Sequence, residues 1–206
     1  MGVFRINHWN ATGIAGLYAA CECACVSVHG ANRLGGNSLL EPIVFGRRAG
    51  IRAGEYVRTI ARQAFETDQL AVEQRRVQRM LAQEGSIRAW QIREELGQVM
   101  SLNLGLVRTH ESMAAALTAL TALTHRADSV TVQDKGRVFN SDLVQAFELQ
   151  SLLDVAETIV TSALARQESR GAHYRSDFPK RDDVQWLKHS VARRTPQGPT
   201  VAYEPV

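Results

Sequence analysis

The sequence predicts a mainly α protein: a short α/β segment, then an antiparallel helical bundle, then a C-terminal loop with a β-hairpin. Three observations carry that reading. An apolar, cysteine-bearing run over 14–28 leads into a glycine-rich turn, the pattern of a strand entering a helix. From about Thr67, long helix formers dominate and apolar residues recur every three or four positions. Near the end, Pro196-Gln197-Gly198-Pro199 separates two short runs of strand formers.

Residues 14–28, dense in Ala, Val, Cys, Leu and Tyr, read as one or two buried strands. Gly30 to Asn37 holds three glycines and two asparagines, which marks a tight loop. A helix follows, with Asn37 as the expected N-cap and Leu39, Leu40, Val44 and Phe45 on its inner face. Pro42 lies past the first turn and removes a helix hydrogen bond, so the helix should begin later than Asn37 or kink. Its pattern resumes through Ala49, Ala53, Tyr56 and Ile60.

Helical periodicity then covers Val72 to Leu81, Ile87 to Leu104 and Glu111 to Thr124, with Ser86 and Thr109 as caps for the last two. Met113, Leu117, Leu120 and Leu123 share one face of the third. A longer helix spans Ser141 to Gln167, with Leu143, Phe147, Leu153, Ala156, Val160 and Leu164 inward. Short connections imply an antiparallel bundle of these segments, whose methionines and aromatics fill the core. His173 to Asp183 reads as an ordered surface loop, with Arg170 and Arg175 expected to pair with Glu168, Asp177 or Asp182. Gln185 to Arg193 and Thr200 to Tyr203 form the hairpin.

Composition bounds the function. With 24 basic and 21 acidic residues the net charge is only +3, and Arg47-Arg48, Arg75-Arg76 and Arg193-Arg194 are scattered, so no nucleic-acid partner is expected. No apolar run reaches the ~20 residues that cross a bilayer, and Met1 to Arg5 lacks the features of a secretory signal. The expected location is cytoplasmic or peripheral on a membrane, and the Asn10-Ala11-Thr12 acceptor pattern is a chance match. Cys21, Cys23 and Cys25 alternate, so on a strand they share one face as small core thiols; no second cysteine pair exists to complete a zinc site.

The turn carries the chemistry. Asn32-Arg33-Leu34-Gly35-Gly36-Asn37 lacks the lysine and Ser/Thr of a P-loop and the G-x-G-x-x-G of a Rossmann unit. What remains is an arginine at the base of a flexible turn that opens a helix. Arg33 suits either bidentate grip on a carboxylate or a buried structural ion pair. Glu22 suits either ribose-like hydroxyls or the cap of a neighbouring helix. His110, His125 and His189 are isolated, and no residue here is singled out as catalytic or as a metal ligand.

Gly16 to Gly50, with His29-Gly30-Ala31-Asn32-Arg33-Leu34-Gly35-Gly36-Asn37-Ser38-Leu39-Leu40-Glu41, resembles the flavoprotein subunit of succinate dehydrogenase and fumarate reductase. Ala165 to Asp183 is a second similar stretch, Trp186-Leu187-Lys188-His189-Ser190 resembles that subunit's C-terminal region, and Val138 to Leu143 with Leu153 to Glu157 is similar to its helical domain. The resemblance implies a remnant of an FAD-binding α/β domain over 1–65, a helical bundle domain over 66–168, and a C-terminal loop and β-hairpin over 169–206. It implies that Arg33 binds the dicarboxylate, that Glu22 contacts FAD, and that Ser38 and Leu39 supply the backbone near the flavin. The reaction implied is hydride transfer between succinate carbon and flavin N5. Electrons then pass to an iron–sulfur subunit and, through membrane anchor subunits, to quinone, on the inner face of the plasma membrane.

Departures accompany the match. The family's dinucleotide fingerprint, flavin-attaching histidine, proton-shuttling arginine and substrate histidine fall before Met1, so the chain is expected to be a fragment that neither binds FAD tightly nor turns over alone. Val3 and Cys21 stand where the family has glycine, and Pro42 interrupts a continuous helix. L-aspartate oxidase, which shares a similar loop, and a non-catalytic docking module for an iron–sulfur subunit are the rival readings.

Overall fold

The computed structural model describes residues 4–62 and 67–206. The chain divides into two compact units: one comprises Met1–Ala64, Arg170–His173 and Val206, the other Phe65–Ser169 and Tyr174–Pro205.

In the first unit β1 (Phe4–Arg5) pairs in parallel with β2 (Ala24–Cys25), Phe4 opposite Ala24 and Arg5 opposite Cys25. The buried strands expected over 14–28 shrink to this pair and an isolated Ala11–Tyr18 bridge. Backbone conformation explains the correction. Gly16, Cys21 and Ser27 all have φ between 69 and 82°, which no strand contains. Cys21–Cys23 form a 3₁₀ turn instead. The three cysteines therefore do not share a buried face, and Cys23 is exposed. Asn10 is fully buried, its Nδ2 donating to the Ala19 carbonyl at 2.9 Å.

Helix α1 (Gly35–Thr59) starts before Asn37, not after it, with Leu34 as N-cap and Pro42 inside. The first part of its inner face is displaced from the expected one. Leu39, Leu40 and Val44 are exposed, and Glu41 is the buried residue. Positions 41, 45, 48, 49, 52, 53 and 56 form the stripe that turns inward. Along it, Arg48 and Arg52 stack on Trp9, 4.7 and 3.8 Å from its ring centre, and Tyr56 meets Tyr18 edge-on at 6.4 Å. Phe45, Ala49, Ala53 and Tyr56 lie on this stripe as expected, and the cations Arg48 and Arg52 join them.

The second unit is the helical one. Around α3 (Ala89–Asn103), α4 (His110–Ala127) and α5 (Ser141–Ala165), a core forms from Ile92, Leu96, Met113, Ala116, Leu120, Leu149, Leu153 and Val160, with Val130 and Val132 added by the α4–α5 connection. Met80 and Leu81 of α2 (Thr67–Ala82) pack against it. Thr109 caps α4 as expected: its side chain accepts from Ser112 N–H at 3.1 Å while Ser112 Oγ accepts from Thr109 N–H at 3.1 Å. Ser86 does not cap α3. The chain there is held extended by the Thr131 N–H on the Ile87 carbonyl at 2.9 Å, so the helix begins two residues later with Arg88 as N-cap.

Helix α5 starts from Asn140, which accepts from Leu143 N–H at 2.8 Å. It ends where fully buried Arg175 donates to the Leu164 and Arg166 carbonyls, each at 2.9 Å. Arg175 also grips Asp177 through both carboxylate oxygens, at 3.0 and 2.6 Å, and Glu168 pairs with Arg166 while accepting the Asp182 N–H at 2.9 Å. The expected loop is thus ordered by its own ion pairs. Gln185 and Trp186 belong to a short helix, α6 (Asp183–Trp186), because Asp182 caps the Val184 and Gln185 N–H groups at 3.0 Å. The hairpin is β3 (Lys188–Thr195) with β4 (Gly198–Pro205), joined by two residues in register Thr195 to Gly198. Among the described residues no helix is long and apolar enough to cross a membrane, and no group of three His, Cys, Asp or Glu is placed to hold a metal.

Candidate functional site

The site forms in the first unit, where the glycine-rich turn enters α1. Leu34 gives the helix no side-chain cap, so the leading N–H groups of α1 stay open at the positive end of its dipole. Gly35, Gly36 and Asn37 there are exposed, and no atom lies within 4 Å of where a Cβ on either glycine would sit. The surface can therefore be approached closely.

Arg33 lies beneath this opening, its side chain 13 % exposed. Nη1 donates to Glu22 Oε1 at 3.1 Å, and Nη2 donates to the Ser38 carbonyl at 3.2 Å and to Glu41 Oε2 at 3.4 Å. Glu22 is a surface carboxylate, 76 % exposed, and Glu41 a buried one, 4 % exposed. A backbone N–H within Glu22 and the Arg33 guanidinium hold the Glu22 carboxyl below its ordinary range. Partial burial, with the Glu41 and Glu22 charges nearby, pushes the Cys21 thiol up. Cys21 also sits at φ 69°, a conformation that favours glycine.

Beside Glu41, His29 Nε2 lies 3.9 Å from Oε2 with its side chain 7 % exposed. Both His29 ring nitrogens, Glu41 Oε1 and Arg33 Nε are buried without hydrogen-bond partners. Of these residues His29 and Glu41 border an open cleft of about 250 Å³, with Asn37 completing its polar side and Val28, Leu40, Val44 and Phe45 on its apolar side; Arg33 does not line it. Unpaired buried donors and acceptors are expensive, and such groups mark a place that something polar completes.

Glu22, Arg33 and Ser38 therefore meet around one guanidinium, while Leu39 is 74 % exposed on the rim of α1. Two partners escaped the sequence. Glu41 carried a readable signal, a charged residue inside the apolar run Leu39 to Phe45. The other is the Arg170–His173 turn, closed by reciprocal backbone bonds of 2.8 and 3.0 Å. Its Ala172 N–H donates to the Ala31 carbonyl at 3.1 Å, two residues before Arg33. Gly171 there has φ +57°, and a Cβ on it would fall 2.5 Å from the Ala31 oxygen. Only glycine fits, and the two motifs meet through it.

The family described as fumarate reductase flavoprotein C-term matches residues 93–206, and the FAD binding domain family matches residues 2–39. The chain belongs to the fumarate reductase flavoprotein family. The Haemophilus influenzae fumarate reductase flavoprotein subunit is 41% identical over 213 residues, covering 100% of this chain and 35% of that protein. The Coxiella burnetii succinate dehydrogenase flavoprotein subunit is 40% identical over 194 residues, covering 94% and 32%. An E. coli quinol fumarate reductase structure superposes with a TM-score of 0.92 at 40% identity, covering 99% of this chain and 36% of that one. The chain thus spans about a third of the length of its curated relatives. Adenylylsulfate reductase from Archaeoglobus fulgidus, at 18% identity and TM-score 0.73, shares the fold.

Proposed function

We propose that this chain forms the dicarboxylate-gripping part of a succinate dehydrogenase or fumarate reductase flavoprotein, with Arg33 as the residue that binds a carboxylate of succinate or fumarate. One observation carries the reading: Glu22, the Ser38 carbonyl and Glu41 converge on a single, largely buried guanidinium at the open N-terminus of a helix. Arg33 Nε has no partner, and Nη1 is held only by an exposed carboxylate. An incoming carboxylate can displace Glu22 at Nη1, neutralising its charge on the guanidinium and fixing its orientation.

The residues suit FAD. Uncapped N–H groups at Gly35 to Asn37 can receive an electron-rich carbonyl, Glu22 offers surface oxygens to hydroxyls, and Ser38 and Leu39 stand at the same helix end. FAD, when bound, supplies the hydride acceptor or donor. Residues 1–65 then serve as the FAD-domain segment, 66–168 as the helical domain and 169–206 as the closing loop and hairpin. An iron–sulfur subunit and its membrane anchors are the proposed partners, placing the assembly on the cytoplasmic face of the plasma membrane.

The test is a chimera in which this chain replaces the matching third of the Haemophilus influenzae relative. It should carry flavin absorbance and reduce fumarate, and Arg33→Lys should cost at least roughly a hundredfold in rate, the scale of losing one oriented charge donor. A flavin-loaded chimera equally active with alanine at 33 overturns the reading.

A further inference from the structure

We infer that Pro42 and Glu41 are positioning residues for Arg33, acting in part through a helix carbonyl that the proline releases. The inference rests on the reading of Arg33 as the substrate arginine and deepens it.

In an α-helix the carbonyl of residue 38 accepts from the N–H of residue 42. Here residue 42 is a proline inside α1, with no N–H to give. The Ser38 carbonyl instead accepts from Arg33 Nη2 at 3.2 Å. The same nitrogen donates to Glu41 Oε2 at 3.4 Å. A carbonyl and a buried carboxylate on one helix therefore bracket one corner of the guanidinium. The opposite corner, Nη1, rests on the exposed Glu22.

This asymmetry divides the labour. The Nη2 corner is fixed by a buried carboxylate and a part-buried carbonyl, and the Nη1 corner is held by an exposed carboxylate that a ligand anion can replace. Any other residue at position 42 would bring an N–H to the Ser38 carbonyl, and Arg33 would then share that acceptor and hold it less strongly. Glu41 supplies the charge, since a buried carboxylate is tolerated only beside a cation, and Arg33 is that cation. The proline is unfavourable within a helix, yet it sits where its missing donor is put to use.

The test uses the full 206-residue chain for the rotation and the flavin-loaded chimera above for fumarate binding, both with isotope-labelled arginine, as wild type, Pro42→Ala and Glu41→Gln. The readouts are the rotation rate of the Arg33 guanidinium about its Cζ–Nη2 bond and the shift of its Nε resonance on adding fumarate. Pro42→Ala should speed the rotation about ten-fold, the scale of one lost hydrogen bond to a charged group, and Glu41→Gln should speed it also. Fumarate should move the Nε resonance at lower concentration in wild type than in either variant. Because alanine is the better helix former, loss of folding does not confuse the Pro42→Ala result. Identical guanidinium rotation in wild type and Pro42→Ala overturns the inference, whether or not fumarate binds. Slower rotation in wild type with an Nε resonance that fumarate never moves in the flavin-loaded chimera leaves the anchoring standing and overturns the substrate reading.

Discussion

Gly171→Ala tests whether the Arg170–His173 turn supports the loop that carries Arg33. A Cβ at 171 meets the Ala31 oxygen at 2.5 Å, its carbonyl carbon at 2.6 Å and its Cβ at 2.8 Å. The left-handed backbone at φ +57° costs a non-glycine residue about 1 kcal/mol or more. Moving Ala31 away forfeits the 3.1 Å bond from Ala172 N–H, about 1 kcal/mol further. With residual strain, the local cost is about 2–4 kcal/mol. The clash is with backbone, so the loop itself must shift. Amide hydrogen exchange at Ala172 reads this directly. Protection should fall roughly thirty- to several-hundred-fold, each tenfold corresponding to about 1.4 kcal/mol. Adding Ala31→Gly should not restore it, because the two nearest atoms remain. Unchanged protection at Ala172, or full rescue by Ala31→Gly, refutes the reasoning.

Two further outcomes follow from backbone and charge. Cys21→Gly should stabilise the first unit by about 1 kcal/mol, because φ 69° strains any side-chain-bearing residue there; a lower urea midpoint for Cys21→Gly counts against it. Bonds from Arg175 and from the His110 backbone N–H lower the Asp177 carboxyl from 3.8 to about 2. Since its folded value lies below its unfolded one, this stabilisation is present above about pH 4 and disappears as pH falls toward 2. Asp177→Asn should flatten acid unfolding of the helical unit over that interval, and parallel acid curves for the two proteins would show that the pair contributes nothing.

The helical unit was legible because Met113, Leu120, Leu153 and Val160 recur at helical spacing and are buried where that spacing puts them. Thr109 was legible because a hydroxyl before a helix has one good use. The first unit was harder. The run over 14–28 is apolar enough for a strand, but left-handed residues such as Cys21 and Ser27 break it, and side-chain identity does not announce φ. Counting apolar residues placed Phe45, Ala49, Ala53 and Tyr56 of α1 inward but also Leu39, Leu40 and Val44, which are exposed. Its inward stripe holds Glu41, Arg48 and Arg52, and their burial depends on Arg33 and Trp9, brought near only by the fold. At the site, Glu22, Arg33 and Ser38 meet around one guanidinium, a contact that neither spacing nor composition announced. Glu41, Pro42 and Gly171 needed coordinates, because each acts through a backbone atom or a partner distant in sequence.

Arg175 bears on the order in which this protein is made. The last turn of α5 is closed by a side chain that lies ten residues past it along the chain. During synthesis that helix end lacks its side-chain partner until residue 175 has left the ribosome, and a polypeptide stopped earlier leaves two carbonyls to water. The length of α5 is thus decided downstream of α5, by the same guanidinium that orders the loop.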